Sequence, residues 1–270
     1  MSGSEPNEGV GSLFFELAGD LRLSMLAKLN QKPYRLSQLA SELDATMQEA
    51  HRNMTRLVGS GLVSKDREGE LVLTSYGRTI VAMIPGYEFL YRNKEFFMDH
   101  SLGDLPPKFI QRMGAFQKCE VVRGVMAILQ RWKNLYSESD SYIREIMAQV
   151  PLDVIETVSG RIDQGVKFSY IFASDAVIPK GRTQLLQKLG WRNYISKGLV
   201  ERRMLPQVRV MTIFNESQGC VVFPNMKGEP DLNVMFHGTD QEFLEWCSDL
   251  FAYQWARAET FDESKLKQEV

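Results

Sequence analysis

The stretch TMQEAHRNMTRLVGSGLVSKDREGELVLT, residues 46–74, changes its hydrophobic period partway along. Met47, Ala50, Met54, Leu57 and Val58 recur at helical spacing, which predicts a helix from about Met47 to Ser60 with these side chains inward. Thr46 stands where an N-cap hydroxyl belongs, and Glu49 follows three residues later as in a capping box. Gly61 supplies the C-terminal stop. Beyond it, Leu62–Lys65 and Glu70–Thr74 predict two short strands around the charged tip Asp66-Arg67-Glu68-Gly69.

Working outward, residues 13–29 carry Leu13, Leu17, Leu21, Met25 and Leu29 at helical spacing. Gly19 predicts a kink or a division into two helices, and Asn30 and Pro33 end the pattern. Leu36, Leu39, Ala40 and Leu43 make a short one-sided helix before the polar break at Asp44-Ala45-Thr46. Helix, short helix, turn, helix and hairpin in that order form a winged helix-turn-helix. A helix of this length fits a DNA major groove. Gln48, His51, Arg52, Thr55 and Arg56 lie mostly on its polar face and are the candidate readers of base edges. Lys65 and Arg67 on the hairpin are candidates for phosphate or the minor groove. Arg35 and Ser37, at the start of the preceding helix, are candidates for phosphate.

The segments RLSQLASEL (35–43) and EAHRNMTRLVGSGLVSKDREGELVLTSYGRTIV (49–81) resemble the winged-helix domains of archaeal and bacterial regulators. The resemblance rests on Leu57-Val58-Gly59-Ser60-Gly61-Leu62-Val63 between helix and first wing strand, and on Thr74-Ser75-Tyr76-Gly77 leading into the next helix. It spans residues 12–82 and implies DNA binding. Those residues carry nine Lys or Arg against eight Asp or Glu, so the domain is nearly neutral. A winged-helix adaptor that contacts proteins only is therefore a standing alternative.

Residues 75–116 read as helix broken at Pro85-Gly86 and Pro106-Pro107, with residues 83–118 linking or dimerising. From Cys119 onward strands and helices alternate: strands at 119–122, 142–147, 167–172, 208–214, 220–223 and 233–236, and helices at 124–137, from Pro151 to about Gln164, at 181–198, and from Thr239 or Asp240 to about Phe261. This predicts an α/β domain over 119–261. Residues 1–11 and 262–270 are polar and expected to be flexible or disordered. Tyr170, Phe223, Phe236, Trp246 and Trp255 are either an aromatic-lined effector pocket or a core. Lys180, Arg202 and Arg203 either hold an anionic group or are solvated.

The segments Phe223-Pro224, His237-Gly238-Thr239-Asp240 and Phe243–Phe251 make this second part similar to the C-terminal domain of archaeal regulators of the methanogenesis-regulatory type. That resemblance implies a sensor domain of degenerate phospholipase-D-like fold. Together the two resemblances imply a homodimeric transcriptional regulator that binds a DNA operator and answers to a small-molecule or protein signal.

Composition narrows the choices. The 270 residues suit two domains, and a net charge of −2 excludes a uniformly basic nucleic-acid binder. Cys119, Cys220 and Cys247 form no CxxC pair, so they read as reduced thiols and not as metal ligands. The start lacks a signal-peptide pattern and no apolar run reaches membrane length, which implies a cytoplasmic protein with no membrane partner. His100 is followed by Ser101-Leu102 and His237 by Gly238-Thr239, so the His-x-Lys pairs of phospholipase-D chemistry are missing. With no phosphate-binding loop and no zinc motif, the reading is a non-enzyme without cofactor or metal. A winged-helix methyltransferase is a minor alternative, weakened because no glycine-rich turn follows a strand.

Overall fold

A computed structural model describes residues 9–148, 152–174 and 176–268. Of the start expected to be flexible, 1–11, residues 1–8 lie outside the described residues, as do Pro151 as a helix opener and Asp175, while Val10 and Gly11 already belong to a helix. The chain divides into two units, Met1–Pro85 and Gly86–Val270.

The first unit begins with α1 (Val10–Leu17) and α2 (Asp20–Leu29), split at Gly19. Two shorter helices, α3 (Leu36–Glu42) and α4 (Met47–Gly59), precede the antiparallel hairpin of β1 (Val63–Lys65) and β2 (Leu71–Leu73). The core is made by Met25, Leu26, Leu39, Ala50, Met54, Leu57, Leu62 and Leu73, all buried. Thr46 caps α4 as its spacing predicts: its hydroxyl accepts the Glu49 N–H at 3.2 Å, and the Glu49 carboxylate accepts the Thr46 N–H at 3.1 Å. Two residues expected inward point out instead, Met47 at 52% and Val58 at 43% exposure. They flank the narrow stripe that meets the core.

The helix α5 (Ser75–Arg92) runs through Pro85, where the sequence predicts a break. A proline inside a helix costs about 3 kcal/mol. Here Val81 and Ile84 pack into the core of the first unit, while Phe89 and Leu90 pack into that of the second, and this burial outweighs the missing hydrogen bond.

The second unit continues with α6 (Phe96–Asp99), α7 (Pro107–Ile110) and a 3-10 turn at Met113–Phe116. Then come β3 (Glu120–Arg123), α8 (Val125–Ser137), β4 (Tyr142–Met147), α9 (Ile155–Asp163), β5 (Lys167–Ala173) and β6 (Val177–Ile178). They are followed by α10 (Arg182–Lys188), α11 (Trp191–Ser196), β7 (Val200–Leu205), β8 (Met211–Phe214), β9 (Gly219–Val222) and β10 (Val234–Gly238). The last elements are α12 (Gln241–Arg257), β11 (Glu259–Thr260) and β12 (Lys267–Gln268). One eight-stranded sheet has the order β11-β7-β5-β4-β8-β9-β10-β3. Its β4, β5 and β7 are parallel neighbours and the remaining pairs are antiparallel. α12 packs on β8, β9, β4 and β7, whereas α9 packs on β5 and α11 on β7.

Four expectations for this unit are corrected. The helix expected over 181–198 is two helices, parted where Gly190 takes a φ of 68° that other residues resist. Residues 200–205, not predicted as a strand, form β7. Its Arg202 and Arg203 are packing residues, with guanidinium groups 4.3 Å from the Phe261 ring centre and 4.8 Å from that of Trp255. The last helix stops at Arg257, short of Phe261, because Arg203 Nη1 donates to the Trp255 carbonyl at 2.8 Å and holds the helix end. Residues 262–268, expected to be disordered, make a 3-10 turn and then β12, which pairs in parallel with β6.

Candidate nucleic-acid interface

Gln48, His51, Arg52 and Thr55 form one exposed stripe along α4, opposite the buried Ala50, Met54 and Leu57. Thr55 donates to the His51 carbonyl at 2.9 Å, a bond within the helix that leaves the stripe facing solvent. On the hairpin, Lys65 and Arg67 are exposed, while Asp66 turns inward on its own loop and accepts the Glu68 and Glu70 N–H groups. Arg35 is exposed and lies 3.8 Å from Glu70. Ser37 lines an open concavity of about 430 Å³ with Lys32, Tyr34 and Glu42.

Arg56 is placed differently from the rest of its helix face. Its Nε and Nη2 donate to the two carboxylate oxygens of Glu16 at 2.9 and 2.8 Å, and its guanidinium lies 4.8 Å from the Phe15 ring centre. The Arg56 hydrogen bond holds the Glu16 carboxyl below its ordinary range. Arg56 therefore ties α1 to α4 and is not an open reader of bases.

Sequence reasoning missed Arg22, which is buried. Its side chain folds over Gly19, where an added Cβ would come within 2.6 Å of the guanidinium carbon. It donates to the Glu16 and Phe15 carbonyls at 2.6 and 2.9 Å and to Asn53 Oδ1 at 3.1 Å. The carbonyls at the end of α1 are thus satisfied by a charge that also reaches α4. Arg22→Ala is expected to destabilise the first unit by about 2–3 kcal/mol, since buried acceptors lose their donor. Arg52→Ala should leave its thermal midpoint unchanged. Thermal denaturation of the two variants side by side checks both.

The five aromatic candidates of the second unit do not line a common cavity. Tyr170, Phe223, Phe236 and Trp246 are fully buried. Phe223 and Phe236 pack edge to face at 5.7 Å, and Trp246 meets Phe116 at 4.8 Å. Tyr170 packs instead on Phe168 and Phe172, and Trp255 stacks on Phe251. The first four are core and Trp255 lies at its edge, so the five do not form one pocket.

Glu145 on β4 is also buried. The Tyr136 hydroxyl donates to it at 2.6 Å. Burial pushes its carboxyl up to about 7, against the opposing pull of Tyr136 and Arg182. A carboxyl raised in the folded state stabilises that state fully below its unfolded value of 4.5, and the contribution is lost as pH rises through about 7. The second unit of the wild type should therefore lose stability between pH 5 and pH 8 relative to Glu145→Gln, as measured by thermal midpoints across that range.

The three histidines have separate surroundings. His51 is exposed on α4; His100 contacts the Phe96 carbonyl and Asp231 at 3.0 Å each; His237 contacts Gln218 at 3.1 Å. Among the described residues no group of three His, Cys, Asp or Glu could hold a metal ion. All three cysteines are free, and burial pushes the Cys247 thiol up to about 12. No helix among the described residues is long and apolar enough to cross a membrane.

The order of elements and the packing define a two-unit α+β protein whose first unit is a winged helix-turn-helix. No family model matches the chain, and no curated protein matches it. Among solved structures, the chain is similar to TrmBL2, an archaeal chromatin protein whose structure shows a novel mode of DNA binding. The likeness has 15% identity and a TM-score of 0.42, over 93% of this chain and 97% of that one. The chain is also similar to the homodimeric winged helix-turn-helix DNA-binding domain Mb0332 from Mycobacterium bovis, a possible ArsR-family transcriptional regulator. There the identity is 20% and the TM-score 0.30, over 35% of this chain and 95% of that one. A third likeness is to Nuc, a phospholipase D family member from Salmonella typhimurium, with 12% identity and a TM-score of 0.39, over 54% of this chain and 99% of that one. Likenesses this distant carry no inference about function.

Proposed function

We propose that the chain is a non-enzymatic, sequence-specific DNA-binding transcriptional regulator that acts in the cytoplasm. The observation that carries this reading is the exposed stripe Gln48, His51, Arg52 and Thr55 on a capped helix, with Lys65 and Arg67 exposed on the adjoining hairpin. Arg and Gln are the side chains best suited to bidentate contacts with guanine and adenine, and flanking cations suit phosphate. The near-neutral sequence count conceals an uneven distribution. Glu16 is taken up by Arg56 and Arg22, Glu42 by Lys28 and Glu49 by the helix cap, while Arg52, Lys65 and Arg67 make no ion pair among the described residues.

In this reading residues 12–82 bind DNA, 83–118 link or dimerise, and 119–261 receive a signal. A homodimer is supported by Tyr76 and Met83, both exposed and two helical turns apart on one face of α5. A dimer of this kind reads a two-fold related operator.

The test is selection of bound duplexes from a random library at two salt concentrations. The expected result is an enriched inverted repeat with affinity falling steeply as salt rises. On that operator Arg52→Ala should cost about 1–3 kcal/mol at one base position. An equal loss on every operator variant would make Arg52 a phosphate contact. No enriched repeat would favour the protein-binding adaptor.

A further inference from the structure

In the second unit, the register of the parallel strands places Glu145, Tyr170 and Arg202 side by side across β4, β5 and β7, hence on one face of the sheet. Over that face stand α10 and α11, and between them and the 3-10 turn at Glu263–Lys265 is a cavity of about 700 Å³. Its walls include Arg182, Trp191, Ile178, Leu186, Ile195 and Leu266.

Two buried polar atoms of the wall, Arg182 Nε and Trp191 Nε1, have no hydrogen-bond partner within 3.5 Å among the described residues, nor has the Tyr170 hydroxyl on the sheet face. Arg182, Trp191 and Tyr170 are 4%, 5% and 1% exposed. Unpaired buried donors are rare and costly, so two in one cavity wall need an explanation. Trp191 N–H and Arg182 N–H can only donate, and the tyrosine hydroxyl donates readily. Burial pushes the Tyr170 hydroxyl up, while the guanidinium groups of Arg182 and Arg202, and the approach of Arg202 and Trp191 to the hydroxyl, pull it down in opposition. Arg202 is held at 2.6 Å by Glu263, but that carboxylate is half exposed, and exposed pairs are weak. The remaining walls mix aliphatic side chains with polar ones, among them Arg192 and the Glu263 carboxylate.

We infer that this cavity binds a small molecule with an oxyanion group, phosphate or carboxylate, received by Arg182 and Trp191, and an apolar body against Ile178, Leu186, Ile195 and Leu266. The binding stands on this geometry alone. A role as the signal-receiving site rests on the regulator reading above.

The test uses the full chain with 15N-labelled tryptophan. The Trp191 indole resonance is assigned by its loss in Trp191→Phe. Phenyl phosphate, benzoate and neutral benzyl alcohol are titrated at constant ionic strength. A saturable shift of that resonance with phenyl phosphate, with benzoate or with both is expected, the preference telling phosphate from carboxylate. Arg182→Gln should weaken it about tenfold or more, the loss expected when one hydrogen bond to a charged group is removed. The resonances of Trp132, Trp246 and Trp255 report that the variant is folded, and Arg182→Lys, which removes the Nε donor but keeps the charge, serves if Arg182→Gln is not. No saturable shift, an equal shift with benzyl alcohol, or a shift undiminished in the folded variants would overturn the site. Binding without any change in operator affinity would support the site and count against the regulator reading only.

Discussion

Replacing Trp246 with alanine is expected to cost the second unit about 4 kcal/mol, the middle of the range for emptying a large aromatic site in a core. The side chain is wholly buried on α12, edge-on to Phe116 at 4.8 Å and Phe109 at 5.6 Å. Its indole N–H donates to the Phe109 carbonyl at 3.1 Å, so alanine removes both packing and a buried donor. The thermal midpoint should fall by about 10 °C for a unit of this size. Trp246→Phe keeps a ring but strands the Phe109 carbonyl, and should fall between the two. Trp255→Ala should cost clearly less, because that ring is only half buried beside Phe251 and Arg203. Equal stability of Trp246→Ala and the wild type would mean that the aromatic cluster is not core.

Gly77→Ala should destabilise the first unit by about 3 kcal/mol, at the severe end for overpacking. A Cβ at Gly77 would stand 2.0 Å from the Leu62 carbonyl oxygen and 2.9 Å from the carbonyl carbon. Both are backbone atoms and cannot rotate away. Leu62 is fixed in turn, since its carbonyl accepts the Thr74 N–H at 3.0 Å. The Thr74 hydroxyl donates to the Gly61 carbonyl at 2.7 Å and accepts the Gly77 N–H at 2.9 Å, drawing the first turn of α5 onto the hairpin. Relief would require parting α5 from that junction. Chemical denaturation of the variant measures the loss, and an unchanged midpoint would show that the junction yields without cost.

These two sites differ in how openly the sequence announced them. Thr74-Ser75-Tyr76-Gly77 stood out as a motif, and the structure supplies its cause in the contact of Gly77 with Leu62. The capping box at Thr46 and Glu49 was equally legible, because capping is a matter of local spacing. Arg22 was not, since its partners are the backbone of Phe15 and Glu16 and a side chain on another helix. β7 was hidden because Glu201-Arg202-Arg203 breaks the apolar alternation that marks a strand, yet both arginines lie flat on aromatic rings. Of the DNA-facing candidates, helical phase placed Gln48, His51, Arg52 and Thr55 on the open stripe. It could not foresee that Glu16, forty residues upstream of Arg56, would occupy that guanidinium. The cavity between α10, α11 and the turn at 263–265 was beyond sequence reading, because one wall is a segment that looked like a disordered tail.

The edge strand β3 meets its partner late in synthesis. Arg123 pairs with Val234 and Glu120 with His237, so the strand emerges long before the residues that complete its ladder. Closing so long a loop delays non-local pairing, and sheets built this way fold slowly. The first unit holds its hairpin and helices within a short span and can form while β3 is still waiting. During that interval Val121 and Val122 offer an unpaired edge to any passing strand. A chaperone that shields this region would act on the second unit, after the first has already folded.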